Sequence, residues 1–309
     1  FTLGRSNYTE EDVKEAARAF TGWSATAKGE FIFRKGQHDY GRKTFLGQHG
    51  DFDGDDVLNI ILEQKQTALY ISSKVFQFFV NEQPDTDKIA WLADRFYNSG
   101  YKIAGLLEDI FTSEWFYEQR HIGARIKSPV ELLVGMQRML PMKIENEESL
   151  IVLQRLLGQM LFYPPNVAGW PGGRTWIDSS TMMLRMRVPQ LINDEDEMNV
   201  SPKDDDDQMM GSGESTSMEV SSKMMAKVKS QKLKGAGAIN ADIDWGAYTN
   251  HFEKTPREKL INDMAAVLLQ TKTAVGSNLI KQYSDESGRQ SFIKTATLQI
   301  MSTPEYQLC

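Results

Sequence analysis

Three short stretches of the chain carry the same instruction for starting a helix. Thr9-Glu10-Glu11-Asp12, Ser128-Pro129-Val130-Glu131 and Thr255-Pro256-Arg257-Glu258 each set a hydroxyl ahead of an acid two or three residues on. The hydroxyl covers backbone amides left free in the first turn, and the acid sits at the positive end of the helix dipole. In the second and third stretches Pro occupies the first helical position, where a missing N–H costs nothing. Behind the first stretch, Val13, Ala16, Ala17 and Phe20 follow the spacing of a single buried helical face. The other two lead into Leu132–Leu140 and Leu260–Leu269. Similar periodicity predicts helices over 55–63, 66–80, 86–99, 103–112, 147–161, 179–187 and 291–301, lengths ordinary for globular helices. A mainly α, multi-helix, bundle-like body follows. One segment departs from it. Phe31-Ile32-Phe33 and Lys43-Thr44-Phe45 flank Gly36, Asp39 and Gly41, which predicts a short β-hairpin or ordered loop near residues 31–46.

Charge has to be located before it is interpreted. The 309 residues carry a net charge of −7. Between Asp194 and Glu219 ten acids face only Lys203, and five lysines follow between Lys223 and Lys234. That stretch accounts for −4, so the rest of the chain is close to balance at −3. A nearly balanced body argues against a nucleic-acid partner. The stretch 194–238, with Asp204–Asp207, repeated Ser and almost no aromatic or β-branched residues, cannot bury enough apolar area to offset chain entropy. It is expected to be a disordered insertion between a helical body, residues 1–193, and C-terminal helices, residues 239–309, that pack back on the same body. No apolar run approaches the roughly 20 residues needed to cross a bilayer. The lone Cys309 allows no internal disulfide, and a chain that opens at Phe1 without Met reads as a fragment.

Four segments carry more side-chain chemistry than a connector needs. In the first, His38 and Asp39 set an imidazole beside a carboxylate, and Lys43 offers a cation for an anionic group. Neighbours on an extended chain point to opposite faces, so turn-building by Asp39 and Gly41 is the competing reading. In the second, Asp51, Asp53, Asp55 and Asp56 fall within six residues, an oxygen-rich pattern suited to Ca²⁺ or Mg²⁺. The EF-hand pattern fails there, and Asp53 as the cap of a helix begun by Asp55 and Asp56 explains the acids without metal. In the third, Arg120, His121, Arg125 and Lys127 precede the helix at Ser128, which makes either an anion site or a set of surface ion pairs. The fourth is the Pro- and Gly-rich run Phe162–Ile177. Trp170 and Trp176 could form a platform beside Asn166 and Arg174 for a sugar ring or an anionic group, with Arg185 on the following helix in reach. The competing reading makes both Trp buried plugs that pin the loop. No Walker loop, Rossmann glycine run, Cys-based zinc spacing or Gly-x-Ser-x-Gly elbow is present.

Taken together, Phe1-Thr2-Leu3-Gly4, Asn7-Tyr8-Thr9-Glu10-Glu11-Asp12-Val13 and Ala16–Trp23 form one block of a recognisable pattern. With His38-Asp39-x-Gly41-x-Lys43-x-Phe45-Leu46-Gly47, Lys127–Glu131, Pro164-Pro165-Asn166-Val167-x-Gly169-Trp170-Pro171-Gly172-Gly173 and Ser302–Gln307, it resembles the bacterial family called domain of unknown function 1800. The likeness is to the C-terminal two-thirds of a member. It implies a mainly helical, often exported protein, periplasmic, at the cell surface or secreted, and it supplies no activity or catalytic residue. Two functions are expected from the residues. The first is a binding or assembly module that holds a cell-envelope polysaccharide or partner protein through Asn166, Trp170, Arg174, Trp176 and Arg185. The alternative is a hydrolase using His38, Asp39 and Lys43, with a divalent ion at Asp51, Asp53 and Asp55.

Overall fold

A computed structural model describes residues 1–144, 147–193 and 241–309. The expected insertion at 194–238 lies outside the described residues. The chain divides into two compact units, Phe1–His121 and Ile122–Cys309.

The first unit opens with α1 (Glu10–Ala19), two hairpins built from β1 (Trp23–Ala25), β2 (Phe31–Phe33), β3 (Lys43–Phe45) and β4 (Gln48–Gly50), and then α2 (Gly54–Glu63). It continues with α3 (Lys65–Phe79), α4 (Thr86–Asn98) and α5 (Ile103–Phe111), followed by short 3₁₀ turns at Glu114–Tyr117 and Gln119–His121. Phe76, Leu92, Phe96, Leu106 and Ile110 make the core between α3, α4 and α5. A smaller core joins Ala19, Phe45, Val57 and Ile60 beneath the hairpins.

The second unit contains α6 (Pro129–Met139), β5 (Met142–Ile144), α7 (Glu147–Leu156) and α8 (Ser179–Ile192). After the undescribed stretch come β6 (Ala241–Ile243), α9 (Trp245–Asn250), α10 (Leu260–Leu268), α11 (Ser277–Gln282) and α12 (Arg289–Met301). β5 and β6 pair antiparallel, Met142 opposite Ile243. One continuous core binds Leu132 and Met136 of α6, Leu153 of α7, Val188 and Leu191 of α8, Met264 of α10 and Ile300 of α12. The fold is mainly helical, and its sheets are two-stranded.

Two of the three helix entrances form as written. Thr9 Oγ1 accepts from Asp12 N at 3.1 Å while Asp12 Oδ2 accepts from Thr9 N at 2.8 Å. Ser128 and Glu131 make the same reciprocal pair at 3.2 and 2.7 Å. The third does not form. α10 begins at Leu260 with Lys259 as its N-cap and no side-chain cap bond. Residues 256–259 instead close into a turn, with Lys259 N donating to the Pro256 carbonyl, and Arg289 takes the carbonyls of Phe252 and Thr255. A residue far along the chain thus claims the backbone that the local pattern assigned to a helix start.

Three further expectations are corrected. On α1, Val13 is 52% exposed and Ala17 is also exposed, while Glu15 and Ala19 are buried. The helix is turned so that Glu15 reaches the β3–β4 hairpin, where Oε2 accepts from Thr44 N at 3.0 Å; Arg18 Nη1 donates to both Glu15 oxygens. A carboxylate that accepts three hydrogen-bond contacts from two donors can be buried where a bare one could not. The two apolar runs near 31–46 are strands, but each pairs elsewhere: Phe31–Phe33 with Trp23–Ala25, and Lys43–Phe45 with Gln48–Gly50. The second pairing follows from Leu46-Gly47, both at positive φ (47° and 78°), the two-residue turn whose twist matches that of a hairpin. Finally, α7 stops at Leu156 instead of continuing to residue 161. Gly158, at φ 88°, closes the helix as Gln159 N donates to the Gln154 carbonyl and Gly158 N to that of Arg155.

Candidate functional site

The His38–Lys43 turn belongs to the first unit, and α1 organises it. Arg18 sends Nε to Asp39 Oδ2 at 2.8 Å and Nη2 to Asp39 Oδ1 at 3.2 Å, a two-pronged grip on the carboxylate. Gly41 N donates to Asp39 Oδ1 at 2.8 Å. The Arg18 hydrogen bond, helped by the Gly41 amide, holds the Asp39 carboxyl down to about 2. The imidazole of His38 faces elsewhere. Its Nδ1 lies 2.8 Å from the Thr21 carbonyl oxygen, an acceptor only, so Nδ1 carries the proton and donates. The rings of Phe33 and Tyr40 meet it edge-on at centroid distances of 5.3 and 4.7 Å. Lys43 is 1% exposed, and its ammonium donates to the carbonyls of Asp39 and Gly41. Asp39 and Lys43 are therefore brought together as parts of one turn, with Lys43 closing its backbone. Asp39 is not the orienting partner of His38. Glu15 and Arg18, which organise the segment, carried no site signal in the sequence beyond sitting one helical turn apart.

Asp51, Asp53 and Asp55 are not assembled around a common point. Asp53 caps α2, its Oδ1 accepting from the amides of Asp55 at 2.9 Å and Asp56 at 3.1 Å, and Asp56 Oδ2 accepts from Asp53 N at 3.0 Å. Among the described residues no group of three or more His, Cys, Asp or Glu side chains is placed to hold a metal ion. No helix among them is long and apolar enough to cross a membrane.

The basic run before α6 splits between the units. In the first, Arg120 pairs with Glu118 at 2.6 Å and Asp85 at 3.4 Å, and His121 Nδ1 lies 3.2 Å from the Asn81 amide nitrogen. In the second, Arg125 Nη2 meets Glu131 Oε1 at 2.9 Å, and Lys127 Nζ donates to the Tyr306 carbonyl at 2.7 Å.

The proline- and tryptophan-rich segment lies in the second unit. Trp176, within the 3₁₀ turn Gly173–Trp176, is buried at 8% exposure. Trp170 is half-buried, and Asn166 and Arg174 are exposed. The Asn166 side chain serves its own turn, Oδ1 accepting from Ala168 N at 2.8 Å. The next helix starts beside it: Asp178 caps α8 in a reciprocal bond with Thr181, whose Oγ1 also donates to the Trp176 carbonyl at 3.1 Å. The expected two-Trp platform is not made, because one indole is spent as an anchor. The segment presents a different set of side chains. Phe162 is 97% and Val167 90% exposed, with Leu161 and Tyr163 close to half exposed. Phe162 also holds φ 62°, a left-handed conformation rare for an aromatic residue. Its neighbour Leu161 is tied down by its amide, which donates to Gln154 Oε1 at 3.1 Å. These residues sit in plain view in the sequence, but apolar type alone predicts burial, and no local signal marks them as outward-facing. Arg185 does not join the segment; its hydrogen bonds go to the Lys127 carbonyl and to Gln307.

Comparison with curated proteins and with solved structures gives no match. Among family descriptions, the one titled Protein of unknown function (DUF1800) matches residues 1–308. Over essentially its whole length, therefore, the chain belongs to the DUF1800 family.

Proposed function

We propose that the protein is a binding or assembly module whose contact surface is the loop 161–168, and that its occupant is a partner protein with an apolar recess. The exposure of Phe162 and Val167, on a loop whose base is fastened through Trp176 and Gln154, is the observation that carries this reading. Contiguous exposed apolar side chains mark interaction sites more often than they occur by chance, because each costs water contact until covered. A protein partner fits better than a polysaccharide. A sugar ring needs a flat aromatic face ringed by free hydrogen-bonding groups. Here one Trp is buried, and the carboxamide oxygen of Asn166 is already used within the loop. The location proposed with this function, in the cell envelope or outside the cell, rests on the family resemblance. The His/Asp hydrolase reading draws less support, since Asp39 is gripped by Arg18 and Gly41 and does not orient His38.

A photo-crosslinking side chain placed at position 162 in cells that make the protein tests the proposal. The expected product is one discrete protein adduct that disappears in Val167→Asp, a variant whose melting temperature stays close to that of the parent. Adducts to glycan alone, or a protein adduct unchanged by Val167→Asp, would refute it.

A further inference from the structure

The first unit ends on a strap, Glu114–His121, made of the two 3₁₀ turns that lie back on α3 and α5. Rings and one hydroxyl hold its first turn. Trp115 stacks on the buried Phe76 of α3 at a centroid distance of 6.0 Å, and Tyr117 Oη donates to the Phe111 carbonyl of α5 at 2.8 Å. The second turn meets the end of α3 through Asn81, whose Nδ2 donates to the Arg120 carbonyl at 3.0 Å and lies 3.2 Å from His121 Nδ1.

The hydrogen-bond roles at this junction are fixed. Asn81 Oδ1 accepts from Gln83 N at 2.9 Å, so the NH₂ end of the amide faces Arg120 and His121. An NH₂ group only donates, and His121 Nδ1 is therefore the unprotonated, accepting nitrogen. The proton of the neutral ring sits on Nε2, which is buried and has no acceptor among the described residues. Turning the Asn81 amide over gives no alternative, because it would set Oδ1 against the Arg120 carbonyl and the NH₂ against the Gln83 N–H.

A second proton on His121 must go to Nδ1, where it sets two donors face to face and forfeits the bond from Asn81. The charged groups acting on the ring are Glu118 and Arg120 of the strap itself, with Asp85 and Lys88 at the start of α4. Both carboxylates are engaged elsewhere, Glu118 by Arg120 at 2.6 Å and Asp85 by Arg120 at 3.4 Å and Lys88 at 3.1 Å. From α3 and its end the ring meets the uncharged Phe76 and Asn81. Burial, and then the Arg120 guanidinium, push the imidazole below its ordinary value of 6.5, while Glu118 and Asp85 pull the other way. Because the folded value is the lowered one, the hold on the strap is complete above about pH 6.5 and weakens as the pH falls below it.

We propose that His121 is an acid-release latch: its protonation breaks the bond from Asn81, and the Glu114–His121 strap lifts from α3 and uncovers Phe76. Phe76 is 0% exposed while the strap is down.

Two measurements on the unaltered protein decide the matter. Long-range proton–nitrogen NMR correlation at neutral pH should show His121 in the Nε2–H form, with a titration midpoint below that of a free histidine. An Nδ1–H form, or a midpoint at or above the free value, would overturn the proposal. Hydrogen exchange, corrected for intrinsic rates, reads the release itself through the amides of Glu118 and His121, whose bonds lie within the strap's own turns. A released imidazole with an ordinary value near 6.5 favours the lifted strap up to about 30-fold more at about pH 5 than at about pH 8, and protection should fall accordingly. Protection that does not change with pH would refute the latch. His121→Asn keeps an oxygen at the Nδ1 position to accept from Asn81 but cannot titrate, so its protection should stay nearly constant over the same range. A variant that loses protection as the parent does would assign the release to another group. If His121→Asn fails to fold, the two measurements on the parent stand by themselves.

Discussion

Replacing Trp176 by Ala separates the anchor of the 161–176 segment from its exposed surface. An indole buries about 150–250 Å². At roughly 25 cal/mol per Å² its removal forfeits about 4–6 kcal/mol, an upper bound because the denatured chain also shelters some apolar area. With Trp176 only 8% exposed, almost all of that area is at stake, and large-to-Ala core substitutions indeed cost about 3–5 kcal/mol. For a unit of this size each kcal/mol moves Tm by about 2–4 °C, so Trp176→Ala should melt roughly 6–20 °C earlier. Phe162→Ser removes an aromatic ring of similar bulk from the same segment, yet that ring is 97% exposed, so stability should stay within about 0.5 kcal/mol. Phe162→Gly is the internal control. It releases the left-handed strain at φ 62°, worth about 1–2 kcal/mol, and adds a comparable chain-entropy loss, so the two nearly cancel. Differential scanning calorimetry, which can register two units separately, is the assay. A Trp176→Ala variant within about 1 kcal/mol of the parent, or a Phe162→Ser variant as damaged as Trp176→Ala, would refute the division into anchor and surface.

Two further outcomes follow from the geometry. Ser128→Ala should cost about 1 kcal/mol through loss of a formed cap, whereas Thr255→Ala, at the similar sequence pattern, should be nearly neutral; equal losses in urea-unfolding midpoints would contradict the turn seen at 256–259. Asp39 bears on acid stability. Its carboxyl is held from 3.8 down to about 2, so its contribution is complete above about pH 4 and is lost as the pH falls through that interval. Asp39→Asn should flatten the acid limb of the first unit between those values, and a variant with the parent's acid profile would show that the Arg18 grip does not act in solution.

Much of the helical scaffold was legible because its signals are local. A hydroxyl and an acid three residues apart, Pro at a first turn and a glycine after a last one operate within a single helical turn, as at Thr9, Ser128 and Asp53. The stop at Gly158, a glycine at positive φ after the last turn, is a signal of the same local kind, although the helix expected over 147–161 runs past it. The candidate sites were far less legible. His38 next to Asp39 suggested a proton-transfer pair, yet the carboxylate answers to Arg18, 21 residues away. Trp176, readable either as half of a platform or as a buried plug, is the buried anchor, while Phe162 and Val167, which carried no site reading, face outward.

From its residues alone the chain specified a mainly helical body, most of its helix starts and the family to which it belongs. Tertiary structure decided which face of α1 turns inward, which strands pair, and where Arg185 places its charge. Those outcomes depend on partners distant in sequence: Thr44 for Glu15 at a separation of 29 residues, Gln307 for Arg185 at 122. Caps and periodicity act through neighbours that the chain always holds close. A buried carboxylate or guanidinium is tolerable only when remote donors or acceptors converge on it, and no short stretch of sequence records that convergence.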